Sequence, residues 1–301
     1  MTEFNYNIFG LNFRSPLVIP GLVTNDIGTT DVNIQLGDVP DHLDQVISSG
    51  VLFESGPQDF LLKLPNVGKY HVQNGNQITI DPNPGAAESE IRLFLLGSVL
   101  GAILFQRGYL PLHGSAIEVD GKALIIIGNS AAGKSTLAAS LNQAGFPLIS
   151  DDLSAISLNN IGKCVIHPGI PFVKLWKDTL DLLFPQAEPE KVRPQLMKYL
   201  VPVSDSNMVP GEIILQTIIN LTTHNHNEFR TTAITGANKF PVLRDHIYRD
   251  QMIKGMGILK AQFVMLSQLA NQIQLFQVER PAIPLDVETL TDLVINEIIQ
   301  I

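Results

Sequence analysis

The chain has 301 residues, 45% hydrophobic and 16% charged, which is enough apolar material for one large domain or two modest ones of about 150 residues. That composition excludes general disorder, and a formal charge of −9 (20 Lys and Arg against 29 Asp and Glu) excludes tracking nucleic acid by bulk electrostatics. Any anionic ligand must be gripped locally, and the lone Cys164 leaves neither a disulfide scaffold nor a multi-cysteine zinc site.

The opening residues, Met1-Thr2-Glu3-Phe4-Asn5, lack the basic and apolar stretches of a signal peptide. Residues 1–85 read as a β-rich domain. The run 31–37 alternates apolar and polar residues as a half-buried strand does, and 51–53, 60–64, 69–72 and 77–80 continue the pattern between Pro and Gly punctuation. Pro82-Asn83-Pro84-Gly85 marks the expected domain boundary, leaving 86–301 as the second domain. A helix is predicted over 86–106, ending at Gly108. Its most apolar part, 93–105, is shorter than the roughly 20 residues a membrane span needs, and Arg92 and Arg107 flank it. The expectation is a buried helix in a soluble, cytoplasmic protein with no membrane partner.

Two strand-like runs follow, 112–119 and 122–127, separated by Asp120-Gly121, a strong hairpin signal because both turn residues must tolerate positive φ. The second run feeds Gly128-Asn129-Ser130-Ala131-Ala132-Gly133-Lys134-Ser135, which fits G-x-x-x-x-G-K-[ST]. Glycines at both ends permit tight turns, so that successive backbone N–H groups line an anion nest. Lys134 adds a point charge for the β- and γ-phosphates. The Ser135 hydroxyl suits Mg²⁺, and the helix predicted over 134–144 offers its positive end. An apolar run before the octet and a helix after it are the context that makes the motif a nucleotide site.

A short strand, 147–149, leads into Asp151-Asp152. If it packs beside the loop strand, it delivers two carboxylates near the γ-phosphate, one for Mg²⁺ and one to accept a hydroxyl proton; an exposed acidic turn is the alternative. His113, in Leu112-His113-Gly114-Ser115, is either a structural residue or a neighbour of that acidic pair. Further strands are predicted at 153–158, 163–167, 212–221, 229–235 and 272–278, and helices at 175–184, 236–248, 250–271 and 286–299.

Taken together, Leu-His-Gly-Ser, the hairpin, Gly-x-Ser-x-x-Gly-Lys-Ser and an Asp-Asp pair after Phe146-Pro147-Leu148-Ile149-Ser150 resemble the HPr kinase/phosphorylase family. They are most similar to its smaller relatives in peptide biosynthesis, the lasso-peptide precursor kinases. The Phe9-Gly10-Leu11 start and the Val-Asn-Ile-Gln-Leu-Gly strand look like theirs too. The resemblance implies an α/β fold, with a P-loop core like that of phosphoenolpyruvate carboxykinase behind an N-terminal β-rich domain. It implies an ATP- and Mg²⁺-dependent kinase acting on a serine hydroxyl of a peptide or small protein. On that basis Gly128, Asn129, Ser130, Ala131, Ala132, Gly133, Lys134, Ser135 and Thr136 hold the nucleotide. Asp151 is the base, Asp152 joins Ser135 at the metal, and His113 and Lys134 assist catalysis. The family's metal-assisting glutamate has no counterpart in 165–171, which contains His167 and no carboxylate; that departure speaks against a phosphorylase reaction. An HPr-type protein kinase and a non-catalytic ATP-binding regulatory module are the alternatives, and a homo-oligomer is left open.

Farther along, Arg244 and Arg249 are candidates for a phosphate contact, solvated surface charge being the commoner fate. Lys174 and Trp176 are candidates for a substrate groove, Trp176 equally for a core anchor. His224 and His226, with only Glu228 nearby, form a poor donor set for a metal.

Overall fold

The computed structural model describes residues 3–300 apart from 23, 25–27, 194–195, 204–207, 210 and 284. The described residues form a mixed α/β structure with three sheets. The chain forms two compact units, Met1–Pro111 with Tyr248–Met265 and Leu112–Ile247 with Leu266–Ile301. Among the described residues no helix is long and apolar enough to cross a membrane.

In the first unit, eight strands lie in the order Phe4–Ile8, Leu11–Ser15, Val32–Leu36, Gln77–Pro82, Gly68–Gln73, Asp59–Leu64, Phe53–Gly56 and Ser48–Ser49. Burial alternates strictly along Gly68–Gln73, as period-two patterning requires. The turns Phe9-Gly10 and Asn74-Gly75 have positive φ at both residues, the geometry that matches strand twist in two-residue hairpins. The strand expected at 51–53 starts only at Phe53; Val51 is 99% exposed and outside the sheet.

The helix predicted over 86–106 is present as one helical run, Glu88–Phe94, a wide π turn Leu95–Val99, and Leu100–Gln106. It docks on the sheet. The Tyr70 hydroxyl donates to Ile91 O at 3.0 Å, and Gly75 N donates to Gln106 Oε1 at 2.7 Å. The compact unit therefore runs on past the turn at Pro82–Gly85, because the apolar helix has the sheet to cover it. The long helix predicted over 250–271 is a 3₁₀ turn Asp250–Met252 and a separate helix Leu259–Gln272. Close approach explains the break: a Cβ at Gly255 would sit 2.1 Å from Ser55 Oγ and 2.3 Å from Ser55 O. Gly257 then turns the chain at φ 73°.

The second unit centres on three parallel strands, Lys122–Gly128, Ile213–His224 and Gln274–Pro281. Gly114–Val119 pairs antiparallel with Lys122–Gly128 and, on its other side, with Leu148–Ser150. Ser154–Leu158 and Cys164–His167 form a hairpin joined to the start of Ile213–His224, and Arg230–Ile234 pairs with Gln274–Pro281. The helices Lys134–Gln143 and Val287–Val294 bury Leu137, Leu141, Leu290 and Val294 in one apolar cluster with Ile126, Ile219 and Val278 of the strands. The Asp120-Gly121 hairpin forms with φ 48° and 75°.

Two expectations are corrected here. Residues 172–176 are a strand, Phe172–Trp176, paired with Lys198–Pro202, so the helix predicted from 175 begins at Lys177. The strand leading to the acidic pair does not lie beside the loop strand. Gly114–Val119 separates them, with Ala116 opposite Ser150.

Candidate active site

The octet joins the strand Lys122–Gly128 to the helix Lys134–Gln143. Its backbone takes positive φ at Gly128 (149°), Ala131 (65°) and Gly133 (104°). Glycine is required at 128 for space as well as conformation, since a Cβ there would lie 2.2 Å from Leu221 O of the neighbouring parallel strand. At 133 the room is ordinary and the φ alone demands it. Ala131 carries its positive φ without being glycine, a strain that costs on the order of 1–2 kcal/mol.

Lys134 is buried, and its ammonium donates to Gly128 O at 2.9 Å and Asn129 O at 3.1 Å. Burial pushes its pKa down, while Asp151 and Asp152, within Coulombic reach, push it back up. An ammonium has three donors, so two carbonyl contacts leave one for a ligand oxygen. Asn129, Ser130 and Ala131 are exposed at the loop's tip, Ala132 is buried beneath it, and Ser135 is half-buried in the first helical turn. The Thr136 hydroxyl faces inward to Thr179 Oγ1 at 3.2 Å, a helix-packing contact in this structure.

The acidic pair enters from the other side of the intervening strand. Asp151 Oδ1 accepts from the Ser115 hydroxyl at 2.6 Å, and Oδ2 accepts from Lys174 N at 2.8 Å. Ser115, on Gly114–Val119, thus bridges the strand that parts Asp151 from the loop. Each carboxylate oxygen keeps a second lone pair, so Asp151 is oriented without being saturated.

Asp152 sits at φ 72°, in the left-handed region. Its Oδ2 pairs with Lys174 Nζ at 2.7 Å, and its Oδ1 lies 3.4 Å from His113 Nδ1. Burial works to raise the Asp152 pKa, but the Lys174 ammonium, its hydrogen bond, and the charges of His113 and Lys198 hold it well below the ordinary carboxylate range. His113 Nδ1–H donates to the Asp152 carbonyl at 2.9 Å, and because a carbonyl only accepts, the proton is on Nδ1. Burial lowers the His113 pKa more than Asp152 raises it, so neutral imidazole is favoured at neutral pH. His246, whose carbonyl accepts from His113 N at 2.8 Å, is likewise lowered by burial and by Lys134.

The structure therefore brings Lys134, Asp151, Asp152 and His113 into one electrostatic neighbourhood. Lys174 serves both carboxylates, by its amide and its ammonium. Trp176 is half exposed rather than a core anchor, with Lys198 Nζ 5.8 Å from its ring centre. Arg244 is a surface charge on Asp245, Arg249 packs on the Tyr248 ring, and His167 is buried against Ser157 Oγ. Among the described residues no three His, Cys, Asp or Glu side chains gather as a metal cluster. A Mg²⁺ bound beside phosphates does not need one, since it keeps several waters and takes one or two protein oxygens.

Sequence reasoning missed Ser115, Lys198, His246 and Arg280. Ser115 follows directly on Leu112-His113-Gly114 and was within reach. Arg280 carries no local signal: its guanidinium reaches Ala132 O, 148 residues back along the chain, at 2.8 Å.

No family model matches the sequence, and no curated protein matches it either. Among solved structures, the HPr(Ser) kinase/phosphatase from Coxiella burnetii is similar over 62% of this chain and 88% of that one, at 14% sequence identity and a TM-score of 0.32.

Proposed function

We propose that this protein is an ATP-dependent kinase that transfers the γ-phosphoryl group to a serine hydroxyl of a peptide or small protein. The observation that carries the reading is the oriented and unsaturated carboxylate of Asp151, within Coulombic reach of the loop ammonium of Lys134. A nucleotide-binding module needs the ammonium and needs no proton acceptor.

The residues present fit a triphosphate. Gly128 and Gly133 hold the positive φ values that shape the cradle, and Lys134 retains a donor for a phosphate oxygen. Ser135 and Asp152 would supply oxygens for a Mg²⁺ bound with the nucleotide. When bound, ATP and its metal provide the transferable group and neutralise charge on it. The protein's own part is positioning. The Ser115 hydroxyl and the Lys174 amide hold the Asp151 carboxylate so that its remaining lone pairs accept the proton of an incoming hydroxyl. Lys174 compensates the charge of Asp152 through its ammonium at 2.7 Å, while its amide orients Asp151. Neutral His113 anchors the turn between them through the Asp152 carbonyl.

The test is Asp151→Asn, assayed with labelled ATP over serine-containing peptides and HPr. ATP affinity is expected to stay within about threefold while transfer falls by a factor on the order of 10²–10⁴, the usual worth of a positioned base. Lys134→Ala loses both properties. Unchanged transfer by Asp151→Asn overturns the mechanism, and wild-type protein that binds ATP yet modifies no acceptor favours a regulatory module.

A further inference from the structure

We propose that Arg280 is a positioning residue of the anion cradle, a buried guanidinium that fixes the Ala131-Ala132 turn of the loop and whose counter-charge is the phosphate chain of the bound nucleotide. The inference rests on the nucleotide reading above and deepens it.

Arg280 lies near the end of the strand Gln274–Pro281 and is only 4% exposed. Its donors are spent on neutral backbone. Nε donates to Ala132 O at 2.8 Å and Nη2 to Ala131 O at 3.5 Å; Nη1 donates to Pro281 O at 2.6 Å and Ala282 O at 3.3 Å. Among the described residues no carboxylate forms an ion pair with it, and desolvation acts on its charge unopposed. A buried cation held only by carbonyls is costly, because dipoles replace its hydration but do not neutralise it. Arginine suits the task, since its planar fork satisfies several carbonyls at once.

Geometry shows what the charge does. A peptide unit is planar and trans, so its carbonyl and the following N–H point in opposite directions. Drawing the Ala132 carbonyl onto Arg280 therefore turns Gly133 N–H away from the guanidinium. Lys134 does the same service at the other end, taking the carbonyls of Gly128 and Asn129. Four of the loop's carbonyls are thus tied to two buried cations. This removes partial negative charge from the cradle and adds two positive charges beneath it, in a protein that is acidic overall.

The test compares Arg280→Gln, which keeps donors and loses the charge, with Arg280→Lys, which keeps the charge and loses the fork. Binding of ATP and of inorganic tripolyphosphate is measured by calorimetry, and the thermal midpoint of each ligand-free variant is recorded. Arg280→Gln is expected to weaken both ligands roughly 10–100-fold, the worth of a charge-assisted contact, with Arg280→Lys between it and wild type. Parallel loss for ATP and tripolyphosphate locates the effect at the phosphates. The proposal is overturned if Arg280→Gln binds as wild type does, if it binds as well as Arg280→Lys, or if ATP weakens while tripolyphosphate does not. If Arg280→Gln does not fold, Arg280→Lys decides alone: affinity equal to wild type for both ligands overturns the positioning role. Wild-type protein that binds neither ligand, with Lys134→Ala indistinguishable from it, sinks the nucleotide reading itself. Loss of affinity in Lys134→Ala alone sinks only the role of Arg280.

Discussion

Asp151 and Asp152 are adjacent, yet their surroundings separate their roles. Asp152 has a lysine ammonium at 2.7 Å and is fixed as an anion, whereas Asp151 has a hydroxyl and an amide and keeps acceptor capacity in hand. Asp152 also holds a left-handed φ, and strain of this kind, worth roughly 1–3 kcal/mol, collects at sites that use it. Lys174→Met is expected to raise the Asp152 pKa, because it removes the cation that opposes burial while burial remains; a carbon-13 carboxylate titration of the folded protein reads the shift. Gly128→Ala meets both forms of residue-scale strain, a Cβ 2.2 Å from Leu221 O and a φ that L side chains avoid. Its expected cost is about 2–4 kcal/mol, read from urea unfolding, and a loss below about 1 kcal/mol contradicts the close approach. The octet and the acidic pair were legible because their chemistry lies in residue type at short spacing. Lys174 was legible only as a neighbour of Trp176, and its double service to the carboxylates appears once Phe172–Trp176 is a strand.

At the level of elements, polar anchors at the sheet edges of the first unit carry a pH signature. Burial works to raise the pKa of Glu54, but hydrogen bonds from Lys63 Nζ (2.7 Å) and Leu43 N (2.9 Å), and one with His42, hold it down to about 2. Its ordinary value is 4.5, so the folded state binds this proton more weakly than the unfolded chain. The stabilisation is complete above pH 4.5 and drains away as the pH falls from there towards 2. Glu54→Gln is expected to show a shallower fall in thermal midpoint than wild type across that window, and equal slopes would refute the assignment. Elements with clean periodicity were readable: the strands between 59 and 82, the Asp120-Gly121 hairpin and the helix entered at Lys134. The break in 250–271 was not. The apolar spacing on either side reads as one helix, and the interruption falls where Gly255, pressed against Ser55 two hundred residues away in sequence, is followed by Gly257 at positive φ.

For the whole molecule, the consequence of the fold is that the first unit is discontinuous in sequence. Removing residues 1–85 deletes the eight-stranded sheet and leaves Leu95, Val99, Leu100, Ile103 and Phe105 of the helical run without the cover that buries them. Burial of each such side chain is worth about 1.5–3 kcal/mol, so the truncated chain is expected to aggregate, as read by light scattering. A monodisperse, folded 86–301 fragment would show that the helical run does not depend on the sheet. Nucleotide linkage offers the complementary measurement: a ligand at 100 times its Kd stabilises a folded protein by about 2.7 kcal/mol. ATP should therefore raise the thermal midpoint of wild type, and much less that of Lys134→Ala.

What the sequence determined by itself was local. It specified a glycine-rich turn between a strand and a helix, a hairpin that needs Asp-Gly, alternating strands and two adjacent carboxylates, because backbone conformation and side-chain chemistry at short range depend on neighbours in the chain. Only the tertiary structure decided that Gly114–Val119 stands between the acidic pair and the loop, that Ser115 and Lys174 orient Asp151, and that Arg280 underlies Ala131 and Ala132. Those contacts join segments that are far apart in sequence, and strand order, not residue type, selects which of many charged and hydroxyl side chains meet.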